Sequence, residues 1–533
     1  MAVAASSVAD LERNERTRRV ILAGVGLVVA ILLGLAAAAI GKTQDAVGLT
    51  IALALPIVWW WAPATRVITL LGCSAVIEQY QYSIPGMPGL DAFTDKIPFF
   101  ASFQGAFGLS GLVFSPADLS VIVLLLIWLT RGVTRRSLRL PRSQVAVTVG
   151  VMMLLALLAL GRGIGLGGSD TRAAFWEIRP WIYMGATYLF ASQFITTRRA
   201  FRAVLWTLVL GSGFKAIQGV YIWTQTRNIN LGSQPAILAH EESFFFAIFA
   251  LLTLGLWIFR QRGALRTTAT ALLPLVLLAD FGNARRDAFL VLGAGAVVML
   301  ILAYGALPER RPLFRRIVAV TALVSVVYLP LEWNGSGTLA EPARAVRSEI
   351  APDLRDQESN LYRVEEDANI GGNIKNTNPL LGTGFGVPID YGYVPIVNIQ
   401  NVDAFILWVP HNGVLYVWMR MGIPGEVVLW LLVAAAILAG TRATRSADRE
   451  VALLGTLVAA ATVGWLAMGY TDMGFFWFRI AIVFGGLLGL LHAMTSRDPS
   501  LRAATATAAT PSPLPDRAAA PAPALAAAGD QDR

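Results

Sequence analysis

Charge and cysteine are what this chain has least of. Asp, Glu, Lys and Arg make up only 14% of its 533 residues, against about a quarter in a soluble globular protein. The single cysteine, Cys73, excludes an intrachain disulfide, and its apolar surroundings mark it as a small buried hydrophobe rather than a reactive thiol. Only three histidines are present. No Cys/His cluster or aspartate pair has the spacing of a metal site, so no metal and no cofactor is the expectation. Heptads, a solenoid period, inverted halves and an assembled Ser–His–Asp arrangement are also missing.

Apolar length fills the space left by these absences. Hydrophobic residues form 56% of the chain, and the mean hydropathy is +0.60. Apolar stretches near 20–40, 46–62, 66–80, 116–131, 143–161, 178–195, 203–223, 241–259, 267–282, 288–305, 317–331, 414–440, 451–470 and 474–493 approach or reach the length of a bilayer crossing. The fold expected is an all-α polytopic transmembrane bundle of 12–14 spans, with a long outer loop containing short helices. The second and third stretches flank Pro63 and Arg66 and could form one broken element. The run from Val20 is too long for a signal-peptide core, so it reads as a retained first span.

The net charge of +9 sits in short arginine clusters between apolar stretches, from Arg13–Arg19 to Arg442–Arg449. That pattern signals topology rather than a nucleic-acid groove. With the amino terminus inside, every cluster follows an even number of crossings and is cytoplasmic. Both termini are then cytoplasmic in a multi-pass protein of the cytoplasmic membrane. The domain plan is a segment 1–19, a transmembrane region 20–331, an outer loop 332–410, further spans in 411–494, and a disordered Ala/Pro/Thr-rich tail 495–533.

Few residues can carry chemistry. His411 ends the long loop, where a neutral imidazole could serve as a general base. His240 opens a span beside Glu241 and Glu242, either as interfacial polarity or as a functional group. Arg285 and Arg286 sit at the outer surface, against the positive-inside bias. Either Asp287 neutralises them or they clamp a phosphate or pyrophosphate. Lys215 and Arg479 are intramembrane cations, either snorkelling or functional. Gly382, Gly384 and Gly386 read as tight turns that let backbone approach another element, not as a nucleotide loop.

Several of these features occur together in one known family. His411-Asn412-Gly413-Val414-Leu415, continuing to Gly422-Ile423-Pro424-Gly425, resembles a motif pair of the O-antigen ligase and polymerase superfamily of membrane glycosyltransferases. Arg363 followed by Asn378-Pro379-Leu380-Leu381-Gly382-Thr383-Gly384-Phe385-Gly386 is similar to a second motif. Arg286-Asp287-Ala288-Phe289-Leu290 and Ser115-Pro116-Ala117-Asp118-Leu119 are similar to starts of spans. The chain departs from the family at Arg420, where an acidic residue is common, and at Asp287, where glycine is usual.

The resemblance implies transfer of a glycan from an undecaprenyl-type isoprenoid diphosphate to an acceptor hydroxyl on a glycan, lipid or protein outside the cytoplasm. Displacement would be inverting and metal-independent. Arg286 and Arg363, aided by Arg285, would stabilise the leaving diphosphate, and His411 would assist the attacking hydroxyl. Asn412, Lys215 and Arg479 join as substrate-binding candidates. A repeat-unit polymerase of the same superfamily and a transporter or flippase of lipid-linked glycans are the alternatives. No nucleic-acid partner is expected, and membrane lipids surround the protein.

Overall fold

An uncharged run removed from water must satisfy its own backbone, and a helix does this within one segment. The computed structural model describes residues 24–33, 35–36, 43–78, 99–104, 114–134, 140–166, 168–226, 237–335, 337–395 and 407–497, and these form helices and turns without a strand. The expected segment 1–19, residues 396–406 of the expected outer loop and most of the tail 495–533 lie outside the described residues.

Three short apolar helices come first: α1 (Gly24–Leu33), α2 (Thr43–Trp61) and α3 (Ala64–Ile77). Pro63 separates α2 from α3, so the two weakest expected spans are distinct helices. There follow α4 (Pro116–Thr134), α5 (Gln144–Gly165), α6 (Thr171–Phe194), α7 (Arg198–Thr226), α8 (His240–Ile258), α9 (Ala264–Asn283), α10 (Arg286–Ala306) and α11 (Arg311–Glu332). The long connection carries α12 (Glu341–Ile350) and α13 (Leu354–Asn376), and α14 (Gly413–Thr444), α15 (Arg449–Thr471) and α16 (Phe478–Thr495) complete the bundle. Ten of the described helices are long and apolar enough to cross a membrane. The expected span 178–195 falls within α6, which is not among the ten. Arg172, Glu177 and Arg179 interrupt its apolar character, and most of its length is buried against other helices.

Packing grades from a protein-enclosed centre to an exposed periphery. Helices α8 and α15 are buried along most of their length, whereas α11 buries only Phe314. The main helix pairs are α6 with α16, α14 with α15, and α10 with α15. Small residues set the closest approaches, since lipid gives no hydrophobic drive between helices. A Cβ on Gly440 of α14 would lie 2.5 Å from the carbonyl oxygen of Gly455 on α15.

Several charges inside the bundle are paired. Asp118 forms a capping box with Ser115 at the start of α4, and it accepts from both Arg179 and Tyr183 of α6. Arg420 of α14 donates to Glu177 of α6 at 2.8 Å. Arg479 of α16 meets Glu242 of α8 at 2.6 Å, and Lys215 of α7 meets the same carboxylate at 3.4 Å. An unpartnered charge at such positions would cost several kcal/mol, roughly.

Candidate functional site

Helix α14 is broken at Gly422, whose φ of 67° lies in the left-handed region. Pro424 cannot donate a backbone hydrogen bond to Arg420, and the N–H of Ile423 turns away to the carbonyl of Pro379 at 3.1 Å. The carbonyls of Met419 and Arg420 are thereby released. The strap 379–386 takes them: Thr383 N donates to Met419 O at 2.7 Å and Gly384 N to Arg420 O at 3.1 Å. The Gly-Thr-Gly-Phe-Gly run is therefore a docking turn, as its composition implied. A Cβ on Gly384 would meet the backbone nitrogen of Gly163 at 2.4 Å, and one on Gly422 would meet Leu380 O at 2.2 Å. Gly422→Ala is expected to lower stability by at least roughly 1–3 kcal/mol from backbone strain alone. Thermal unfolding in detergent checks this; an unchanged midpoint would show that the kink does not need glycine.

The strap hangs α13 and the turn 407–412 over one end of the bundle. At that end His411 follows Pro410, and Asn412 caps α14 by accepting from Val414 N and Leu415 N. The amide of Asn412 also donates to Asp367 at 3.1 Å, so both ends of this side chain are engaged in holding the loop. Glu366, fully buried, accepts from the His411 backbone N–H at 2.9 Å and contacts His411 Nδ1 at 3.1 Å. Tyr362 donates to the same carboxylate at 3.2 Å, and its ring stands perpendicular to the imidazole. With Nδ1 held by the carboxylate, Nε2 is the nitrogen left to accept a proton. Burial alone would depress the His411 pKa, but the hydrogen bond and charge of Glu366, with help from Asp472, hold it above its ordinary value. Burial likewise raises Asp367 above the usual carboxylate range.

The arginines approach along α13. Asp356, Ser359, Asn360, Arg363, Glu366 and Asp367 recur at three- and four-residue spacing and share one helix face. Arg286 reaches this face at Ser359 (3.3 Å), Asn360 (3.4 Å) and Asp356 (3.8 Å). Arg363 lies one turn further along, within electrostatic reach of His411, Asp287 and Asp367. Its half-buried guanidinium makes no hydrogen bond or ion pair with any described residue. Arg285 caps α10 without a side-chain hydrogen bond, and its Nε is buried without a partner among the described residues. No ion pair joins Asp287 to Arg285 or Arg286. Asp287 turns instead toward His240 and Asp472.

Of the residues singled out from sequence, the structure thus brings His411, Asn412, Arg363 and Arg286 onto α13, with Arg285 adjoining. Lys215 and Arg479 are not part of that face. Both are buried and tied to Glu242, while Arg479 also donates to the carbonyls of Ala75 and Val76. Sequence reading missed Glu366 and Asp472 as site residues. Glu366 was one of many loop acids, and it lies 45 positions from His411. No local spacing announces such a pairing.

The fold and composition define a multi-pass helical membrane protein. Comparison with protein-family models finds no match for the chain, and no curated protein matches it.

Proposed function

We propose that this protein is a glycosyltransferase that moves a glycan from an isoprenoid diphosphate carrier to an acceptor hydroxyl at the outer face of the cytoplasmic membrane. The observation that carries the reading is the guanidinium of Arg363, which makes no hydrogen bond or ion pair among the described residues and lies within electrostatic reach of His411, with Arg286 set against the same face of α13. A departing diphosphate gains negative charge in the transition state, and preplaced cations stabilise that state more than the ground state. His411 Nε2 would take the proton of the acceptor hydroxyl as it attacks the anomeric carbon, and Glu366 orients the ring. Direct displacement inverts that carbon. The lipid chain would approach laterally through the bilayer, in keeping with the membrane-spanning scaffold.

The test is glycan transfer by the purified full-length protein in nanodiscs, supplied with isoprenoid-diphosphate glycans and cell-envelope acceptors. A product whose acceptor is a finished lipid, protein or glycan marks a ligase, and a ladder of repeat units marks a polymerase. Absence of product, with the donor changing leaflet in proteoliposomes, would replace the transferase by a transporter.

The pH dependence is specified by the His411 environment. A base works above its own pKa, and Glu366 raises that pKa. Glu366→Gln removes the raising charge, so the acidic limb of the pH–rate profile is expected to move to lower pH while the plateau rate falls. A profile that keeps its limb in place would exclude Glu366 as the group that tunes His411.

A further inference from the structure

One group of side chains at this end is not used by the transfer reading. His240 opens α8, Asp287 lies in the first turn of α10, and Asp472 closes α15. Their donor atoms all lie within 4.8 Å of one another. Asp472 is buried, with Oδ2 against His240 Nδ1 and Oδ1 accepting from the Met473 backbone. The His240 ring stacks on Trp477, with centroids 6.0 Å apart, and keeps part of its edge exposed. Three separate helix ends therefore deliver one imidazole and two carboxylates to a single point.

Among the described residues, His240 alone makes an ion pair with either carboxylate. One imidazolium can offset Asp472, but two carboxylates held this close repel each other in a low dielectric. Asp287 makes no ion pair with any described residue, and the guanidinium that influences it, Arg363, stands beyond ion-pair distance.

We infer that His240, Asp287 and Asp472 bind a divalent metal cation. Oxygen donors surround Mg²⁺ and Ca²⁺ at about 2.0–2.6 Å, which places neighbouring donors roughly 3 Å apart and opposed donors roughly 4–5 Å apart. The cluster fits that span once the His240–Asp472 contact opens slightly. Two hard carboxylate oxygens and one imidazole suit Mn²⁺ best, since carboxylate favours Mg²⁺, Ca²⁺ and Mn²⁺ while imidazole favours transition metals. Three protein ligands leave coordination positions for water or for oxygens of the donor diphosphate. That last role rests on the transfer reading; cation binding itself does not. The inference departs from the metal independence expected from sequence, where these residues are separated by tens to hundreds of positions.

Mn²⁺ binding to the purified full-length protein, without any donor, tests the site by calorimetry and by the electron paramagnetic resonance signal of free Mn²⁺. One ion per chain is expected, with affinity falling at least tenfold in Asp287→Asn and in His240→Gln and unchanged in Lys375→Ala. Thermal melts establish that the variants are folded. Because Asp472 also terminates a buried helix, Asp287→Asn carries the decision. Equal affinity in wild type and Asp287→Asn, or no binding of Mn²⁺, Mg²⁺ or Zn²⁺ by wild type below millimolar concentration, overturns the proposal. Mn²⁺ binding without glycan transfer would sink the transferase reading and leave the metal site standing.

Discussion

His411→Ala is expected to lower the initial rate of glycan transfer by roughly 10²–10⁴-fold, the contribution typical of a positioned general base. The size follows from how the ring is held. Glu366 fixes Nδ1 through its carboxylate and also fixes the His411 backbone N–H, so little orientational freedom remains to be lost at the moment of reaction. Removing the imidazole also leaves Glu366 buried with fewer partners, and some loss of stability is expected. His411→Gln, which keeps a polar side chain facing Glu366, separates the two effects. If it unfolds at the wild-type temperature and still loses at least a hundredfold in rate, the proton-accepting role stands. A rate within about threefold of wild type would remove His411 from the chemistry, since no useful base contributes so little.

Arg420→Met is expected to give the largest loss of stability, roughly 3–5 kcal/mol, as for other buried pairs stripped of one partner. The guanidinium reaches Glu177 at 2.8 Å, Val387 O at 2.6 Å, Trp408 O at 2.7 Å and Thr383 Oγ1 at 3.2 Å. It thus pins the strap, the turn before His411 and α6 to the kink in α14. Glu177 also accepts from the Gly386 N–H, so its carboxylate would be left with hydrogen bonds but no cation. The double variant Glu177→Gln/Arg420→Met should recover much of the loss, because removing both charges removes the desolvation cost as well. Thermal midpoints of the three variants in one detergent decide this. A single variant that melts with wild type would mean that the strap is held by its backbone contacts alone.

Arg420 also shows where sequence reading reached its limit. The helical membrane fold was legible because uncharged length leaves the backbone no other way to be satisfied. The strap and the kink were legible as motifs, since Gly422, Pro424 and the glycine run carry local backbone requirements wherever they occur. The structure adds that the two motifs touch, and the reason is the pair of carbonyls that Pro424 and Gly422 release. Arg420 stood out in sequence as a departure from an acidic position, with no partner visible. Its partner, Glu177, is 243 residues away. The span expected over 178–195 was blurred for the same reason: Glu177 and Arg179 are compatible with a buried helix only because Arg420 and Asp118 meet them. His411 could be nominated from its loop position and residue type, whereas Glu366, Asp472 and Asp287 gain meaning only from three-dimensional convergence.

The long reach of these pairs bears on how the protein is made. Glu177, Glu241 and Glu242 are synthesised well before Arg420 and Arg479, with separations of 243 residues for Glu177–Arg420 and 237 for Glu242–Arg479. Lys215 is the early cation that can shelter Glu242 in the interval, and Glu177 has no such early cation among the described residues. Glu177 therefore gains its ion pair only when α14 joins the bundle, and a chain that ends before Arg420 cannot form it.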